Sequence, residues 1–407
     1  MMSEKKVPAI RFRGFEDDWE QRKLSDIYKD IGNAFVGTAT PYYVEEGHFY
    51  LESNNIKDGL INHNTEVFIN DVFYENQKDK WLHTGDMVMV QSGHVGHAAV
   101  IPKELDCSAA HALIMFRNPK VEIEPYFLNY QYQTAKSKKK IENITTGNTI
   151  KHILASEMQE FIVDVTSYGE QKKIAGFFRD LDNLITLHQC KLEKLKIVKK
   201  SMLVNCFPKN GEKVPKFRFS GFTGDWEQRK VGDITIESTE YTTLDAGYPL
   251  LTSSRAGLMY QNEYRGNLTT DSKETLFSVV PIGACTYRHM SDDGVFHLNI
   301  NTLEKGLVSR EYPVFFATKE NCLNFIIQYI NSSALFRAFC AEQKKGGTRT
   351  RLYYNALCEF KMMVPSKREQ EVIAGYLLSL DHLITLHQRE LKKLQMIKKS
   401  MLRSMFV

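Results

Sequence analysis

The stretch VPAIRFRGFEDDWEQRKLSDI, residues 7–27, decides how this sequence folds, because most of it occurs twice. VPKFRFSGFTGDWEQRKVGDI at 214–234 repeats it with 14 of 21 positions identical, including the hexapeptide DWEQRK at Asp18–Lys23 and Asp225–Lys230. The chain has three tryptophans and two of them stand in these hexapeptides, so coincidence explains the match poorly. Local propensity does no better, since a helix or turn needs no particular hexapeptide. A duplicated unit accounts for both, and internal repeats govern architecture before any residue-level reading.

A second match closes each unit. SYGEQKKIAGFFRDLDNLITLHQCKLEKLKIVKKSMLVNCF (167–207) aligns with SKREQEVIAGYLLSLDHLITLHQRELKKLQMIKKSMLRSMF (366–406), with 23 of 41 positions identical. The offset is 207 at the openings and 199 at the closings, so the stretches between them differ by 207 − 199 = 8 residues. Their sequences look unrelated. A constant frame around divergent middles points to the middles as the discriminating parts.

The closing segments read as long helices. Ile174, Phe177, Leu181, Leu184, Leu195, Val198 and Met202 fall at heptad a and d spacing, with Phe178, Ile185 and Leu192 widening the stripe. Ile373, Tyr376, Leu380, Leu383, Leu394, Ile397 and Met401 repeat it, with Leu377, Ile384 and Leu391 alongside. SYGE at 167–170 and SKRE at 366–369 have the capping-box pattern. Lys199–Lys200 and Lys398–Lys399 suit the negative end of the macrodipole. About 39 residues make a rod of roughly 58 Å. Two such rods with apolar stripes are expected to pair, and a pseudo-twofold relation favours an antiparallel pair. The predicted interface is Ile174, Leu181, Leu184, His188, Leu195 and Met202 with Ile373, Leu380, Leu383, His387, Leu394 and Met401. His188 and His387 hold the same heptad position. They read either as a pair at the pseudo-dyad or as two separate polar interruptions that fix register. The linker PKNGEK (208–213) spans at most about 24 Å, so by symmetry the end near Phe406 is expected close to Val7.

The middles mix short β-like runs with helical pieces. DMVMVQSGHVGHAAVIP (86–102) reads as two strands around a glycine-rich turn, and TLFSVVPIGACTYRHM (275–290) as its counterpart. Residues 124–142 and 322–343 read as helices. Each precedes a small-residue, charged loop: NITTGNTIKHI (143–153) and KKGGTRTRLYY (344–354). Lys136, Lys138, Lys139 and Lys140 lead into the first loop, which holds Thr146, Thr149 and Lys151; Lys344, Lys345, Arg349, Thr350 and Arg351 populate the second. Clustered Lys and Arg among Gly and Thr are what phosphate contacts use, and Arg and Thr also reach base edges. A basic cluster is often only solvated surface, but its recurrence at the corresponding place in both units argues for DNA. Ser92, His94, Arg255, Tyr287 and Arg288, at or near the hairpin turns, are weaker DNA-binding candidates, because an ordinary hairpin tip is the favoured reading of those turns.

Composition narrows the class. Hydrophobic residues make up 43% and charged residues 25%, ordinary for a soluble globular chain. No run approaches the roughly 20 apolar residues of a membrane span, and MMSEKKVPAIRF lacks a signal-peptide core, so a cytoplasmic protein is expected. Seven cysteines occur without any C-x-x-C pair, which speaks against a disulfide framework or a zinc cage. A net charge of +4 permits a nucleic-acid partner. Phosphate-loop, dinucleotide and H-E-x-x-H motifs are missing, as is the Asn/Asp-Pro-Pro-aromatic tetrad of adenine methyltransferases. No catalytic residue, metal ligand or cofactor site is assigned to this chain.

With its openings RFRGFEDDWEQRKLSDI and RFSGFTGDWEQRKVGDI, and its helices EQKKIAGFFRDLDNLI and EQEVIAGYLLSLDHLI, the sequence resembles the specificity (S) subunit of type I restriction–modification systems over nearly its whole length. The resemblance implies an α+β chain. It would have two mixed α/β target recognition domains in pseudo-twofold arrangement, joined by two long helices forming an antiparallel coiled coil. Expected boundaries are 1–166 for the first recognition domain (opening 7–27), 167–207 for its helix, 208–213 for the linker, 214–365 for the second domain (opening 214–234) and 366–407 for the second helix. The resemblance further implies a non-catalytic subunit whose domains each bind half of a split double-stranded DNA target. The coil would set the spacer and dock two modification (methyltransferase) subunits. S-adenosylmethionine, ATP and Mg would belong to those subunits and to ATP-dependent restriction (translocase/nuclease) subunits. Unlike middles imply an asymmetric target. A protein–protein scaffold of two unlike domains on a coil, without DNA binding, is the reading of a different class.

Overall fold

The computed structural model describes residues 7–147, 151–265, 274–344 and 349–407. The chain divides into two compact units, Met1–Gln189 with Arg389–Val407, and Cys190–Gln388. Two 38-residue helices, Tyr168–Asn205 and Lys367–Ser404, run from one unit into the other. Among the described residues no helix is long and apolar enough to cross a membrane.

In the first unit the repeated opening is frame. Trp19 is buried against Phe127 (5.4 Å between ring centroids) and Phe406 (6.0 Å). The residues after it, Glu20–Lys23, form a strand paired antiparallel with Ile162–Val165, and Lys23 Nζ reaches Glu160 at 2.6 Å. Arg11 grips the buried Glu170 carboxylate with two bonds of 2.7 and 2.8 Å. The Ile10 amide donates to the Ser404 carbonyl at 2.8 Å, so the first opening segment meets the end of the second long helix in this unit. The second unit repeats each device. Trp226 packs on Phe325 (5.7 Å), Glu227–Lys230 pairs with Lys361–Val364, Lys230 holds Glu359 and Arg218 grips Glu369. The Phe217 amide donates to the Asn205 carbonyl at 2.8 Å. Forked Arg–carboxylate pairs are strong and directional. In SKRE the Glu369 amide donates to the Ser366 hydroxyl (3.4 Å), half of a capping box, while the carboxylates of Glu369 and Glu170 are both taken by arginines of the opening.

The middles share a topology that their sequences hide. In the first unit Tyr28–Asn33 pairs antiparallel with Leu113–Pro119, which pairs with Met87–Val90, which pairs with Ala98–Val100. In the second unit Thr235–Glu237, Val314–Ala317, Cys285–Thr286 and Asn299–Ile300 follow the same order. Thus Cys285–Thr286 is the counterpart of Met87–Val90. Phe277–Val280, expected in that role, pairs instead with Gly306–Ser309 and Tyr241–Thr242. Each region expected as one helix is two, Pro125–Tyr132 with Ala135–Ile144, and Leu323–Ser332 with Ala334–Glu342. The break has a local cause. Thr134 and Ser333 take extended backbone, and their side chains cap the next helix by accepting from the Ser137 and Phe336 amides.

Within each unit the long helices run antiparallel. In the first, Phe178 stacks on Phe406 (6.0 Å) while Asp182, one turn further on, bonds Lys398 at 2.7 Å. In the second, Leu203 and Phe207 share a core with Ile373 and Leu377 while Lys199 pairs with Asp381. The seam departs from the expected one. Its residues are Ile174, Phe178, Leu181, Ile185, His188, Leu192, Leu195, Lys199 and Met202, repeated as Ile373, Leu377, Leu380, Ile384, His387, Leu391, Leu394, Lys398 and Met401, all buried or half-buried. Leu184 and Leu383, placed in the interface by their spacing, are 46% and 39% exposed. Both patterns alternate steps of three and four, so spacing alone admits either. Lys199 and Lys398 decide between them, because each enters the seam to meet a carboxylate instead of serving the helix dipole.

Candidate nucleic-acid interface

The shared sheet order brings two separate basic segments together in each unit. In the first, the turn between Met87–Val90 and Ala98–Val100 carries Ser92, His94 and His97. It bridges the segment after the second helix: Ser92 pairs with His152, the Gly93 amide donates to the Lys151 carbonyl (3.1 Å), and Thr146 and His152 exchange bonds of 2.9 and 2.8 Å. Gly96, at φ +85°, lies over Ile141 of the helix Ala135–Ile144, where a Cβ would stand 2.7 Å from the Ile141 side chain. Only glycine fits, and the turn is thereby seated on the lysine-bearing helix. Lys138 and Lys139 are exposed there. Burial holds the His97 pKa below its ordinary value and Lys138 adds to this, against the opposing pull of Asp58. His97 is therefore a neutral hydrogen-bonding group near neutral pH.

In the second unit the connection between Cys285–Thr286 and Asn299–Ile300 pairs, through Met290 and Ser291, with Arg351 and Thr350. Next to this pairing is a cleft of about 450 Å³ lined by Ser253, Arg255, Arg288, Asp292, Asp293 and His297. Arg255 is ion-paired with Asp293, and Arg349 Nε donates to Asp292 at 2.7 Å. Three bonds hold Asp293 far below the usual carboxylate range: from Arg255 foremost, then from the Ser291 hydroxyl and the Val295 amide. Arg288 faces the cleft half-exposed, and Lys344 and Arg351 are exposed.

Four candidates are corrected by their surroundings. Lys136 donates to Asp164 (3.2 Å) and to the Val407 carbonyl (2.9 Å), and Lys140 donates to the Ile162 carbonyl (3.1 Å) above the Phe161 ring. Both are braces to the frame strand. Tyr287 is fully buried in the core, and Thr350 is buried within the two-residue strand it shares with Arg351. Their side chains do not reach a DNA surface. Thr149 and Lys345 lie outside the described residues. His97 and His152 lie in the turn and loop that the sequence points to without being singled out there, whereas Asp292, Asp293 and His297 were missed. For the two aspartates the available signal is SDDG at 291–294, a turn sequence between basic segments.

Exposed Lys, Arg, Ser and His side chains on loops held by a rigid sheet are suited to phosphate and base-edge contacts. Residues 16–196 and 224–396 each match the type I restriction modification DNA specificity domain. The chain belongs to that family. Type I DNA specificity domains recognise DNA sequence, and this chain carries two of them. It is 24% identical over 413 residues to a protein described as the specificity subunit of type I restriction enzyme MjaX of Methanocaldococcus jannaschii, covering 95% of this chain and 92% of that one. The MjaVIII specificity subunit of the same organism is 21% identical, with 95% and 91% covered. The fold is that of the type I restriction–modification S subunit from M. genitalium, with a TM-score of 0.62 over 98% of this chain and 99% of that one, at 13% identity.

Proposed function

We propose that this chain is the non-catalytic, cytoplasmic specificity subunit of a type I restriction–modification complex. Each variable middle binds one half of an asymmetric bipartite target in double-stranded DNA. The long helices set the spacer and dock two modification subunits, which hold S-adenosylmethionine, while restriction subunits use ATP and Mg. The observation that carries this reading is the repeated pairing of a hairpin turn with the basic segment after the second helix, at the corresponding place in two middles of unrelated sequence. Constant frames with divergent readers suit a target of two unlike halves. Linked binding units gain affinity through effective concentration only where their spacing fits the sites. The test is methylome sequencing of cells that express the chain with its modification subunit. A bipartite motif with unlike halves, methylated on both strands, is the expected result. Absent or unpatterned methylation rejects the reading, and a palindromic motif rejects its asymmetry.

A further inference from the structure

We propose that His83, Asp106 and Cys107 form a binding site for one divalent transition-metal ion of the zinc class, separate from the candidate DNA interface. Among the described residues this is the one group of three such side chains whose donor atoms lie within 4.8 Å of one another. Cys107 Sγ is 3.8 Å from His83 Nδ1 and 3.5 Å from Asp106 Oδ2, and His83 Nδ1 is 3.6 Å from Asp106 Oδ1. A tetrahedral zinc ion with ordinary bond lengths to N, S and O holds its ligand atoms about 3.3–3.7 Å apart. Small side-chain rotations therefore close the site, with the fourth position open to water.

The backbone is arranged for this meeting. His83 and Cys107 are 24 positions apart, and the flanking residues Leu82 and Ser108 exchange two backbone bonds, of 2.8 and 3.1 Å, which hold the two turns side by side. Asp106 Oδ1 accepts from the Thr84 amide (2.7 Å) and hydroxyl (3.0 Å), which orients the carboxylate and leaves Oδ2 toward Cys107. Cys107 stands at φ 63°, a left-handed conformation unusual for a side chain other than Gly, Asn or Asp. Tyr74 helps to keep it there by donating to the Cys107 carbonyl at 2.8 Å. A strained residue held by its surroundings is a pointer to function. Here the strain turns the thiol toward a histidine and a carboxylate. A cysteine nucleophile fits less well, because desolvation foremost and then the Asp106 carboxylate beside the sulfur oppose thiolate formation. A bound cation reverses that opposition, and the thiol proton leaves to solvent as the metal–sulfur bond forms.

The test uses the full chain, stripped with a chelator and titrated with Co²⁺. The expected result is a thiolate-to-cobalt charge-transfer band that saturates at one equivalent and is displaced by Zn²⁺. Cys107→Ser and His83→Ala remove the band, with far-UV circular dichroism unchanged because both changes are at turns. Cys190→Ser leaves it, which excludes the exposed thiol on the long helix. Thr84→Ala keeps the band but weakens binding by roughly 10–100-fold, as loss of a group orienting a ligand does. No band at saturating Co²⁺, or a band that survives in Cys107→Ser, overturns the proposal.

Discussion

Lys398 Nζ lies 2.7 Å from Asp182 Oδ1, and 199 positions earlier Lys199 meets Asp381 in the same way. The two pairs are equivalent in sequence but differ in setting. Asp182 and Lys398 are nearly buried, and the Tyr130 hydroxyl also donates to Asp182 at 2.8 Å; Lys199 and Asp381 are more exposed. Breaking a buried pair from one side strands a charge and costs about 3–5 kcal/mol, whereas exposed pairs contribute about 0–1 kcal/mol. Lys398→Met is therefore expected to be much the more destabilising. Urea denaturation of Lys398→Met beside Lys199→Met measures the difference, and equal losses would refute it.

The seam assignment predicts a contrast between neighbours. Leu192→Ala removes a buried side chain and is expected to cost about 2–5 kcal/mol. Leu184→Ala, at an exposed position of the same helix, is expected to stay within about 0.5 kcal/mol of the parent. Thermal melts of the two variants decide whether spacing or the carboxylate-paired lysines sets the seam.

Lysines of one helix are expected to separate by role. Lys138→Ala should leave stability unchanged and lower the slope of log affinity against log salt by about 0.9 if Lys138 neutralises one phosphate. Lys136→Ala should leave that slope alone and lower stability, because Lys136 braces Asp164 and the Val407 carbonyl. DNA-binding titrations across salt concentrations, made with the assembled complex, test both. Asp292→Asn releases Arg349 and is expected to tighten binding to non-target duplex with a steeper slope.

Burial depresses the pKa of His289, whose ring stacks on Tyr353 at 5.4 Å, and Arg351 and Arg288 add to this against the opposing pull of Glu311. The folded state therefore takes up this proton at lower pH than the unfolded chain does. Stability is unaffected above the ordinary value of 6.5 and declines as pH falls from there toward the depressed folded value. His289→Gln is expected to flatten that decline in denaturation measured between neutral and mildly acidic pH, and an unchanged slope would exclude His289 as its source.

Lengthening both long helices by four residues, about one turn or 5.4–6 Å, is expected to change the spacer of the methylated motif by one or two base pairs. An unchanged spacer in methylome data would remove the ruler role from the coil.

Identity at Trp19 and Trp226, at Arg11 and Arg218, and at Glu170 and Glu369 was enough to reveal a duplicated frame. These side chains do the same work twice, and a repeated constraint leaves a repeated sequence. The likeness of the two middles was not legible, because a four-stranded order depends on backbone pairing, which many sequences satisfy. The seam was half legible. A period of 3.5 residues marks a coiled coil but leaves two adjacent stripes equivalent, until Lys398 finds Asp182 and Lys199 finds Asp381. The candidate interface was legible as charge and small polar residues in loops. Which lysines are free, which arginines are held by Asp292 and Asp293, and why Tyr287 is core all depend on neighbours distant in sequence. Duplication and helical period are written along the chain. Burial, ion pairing and the meeting of His83 with Cys107 exist only where distant segments touch, and tertiary structure alone decides them.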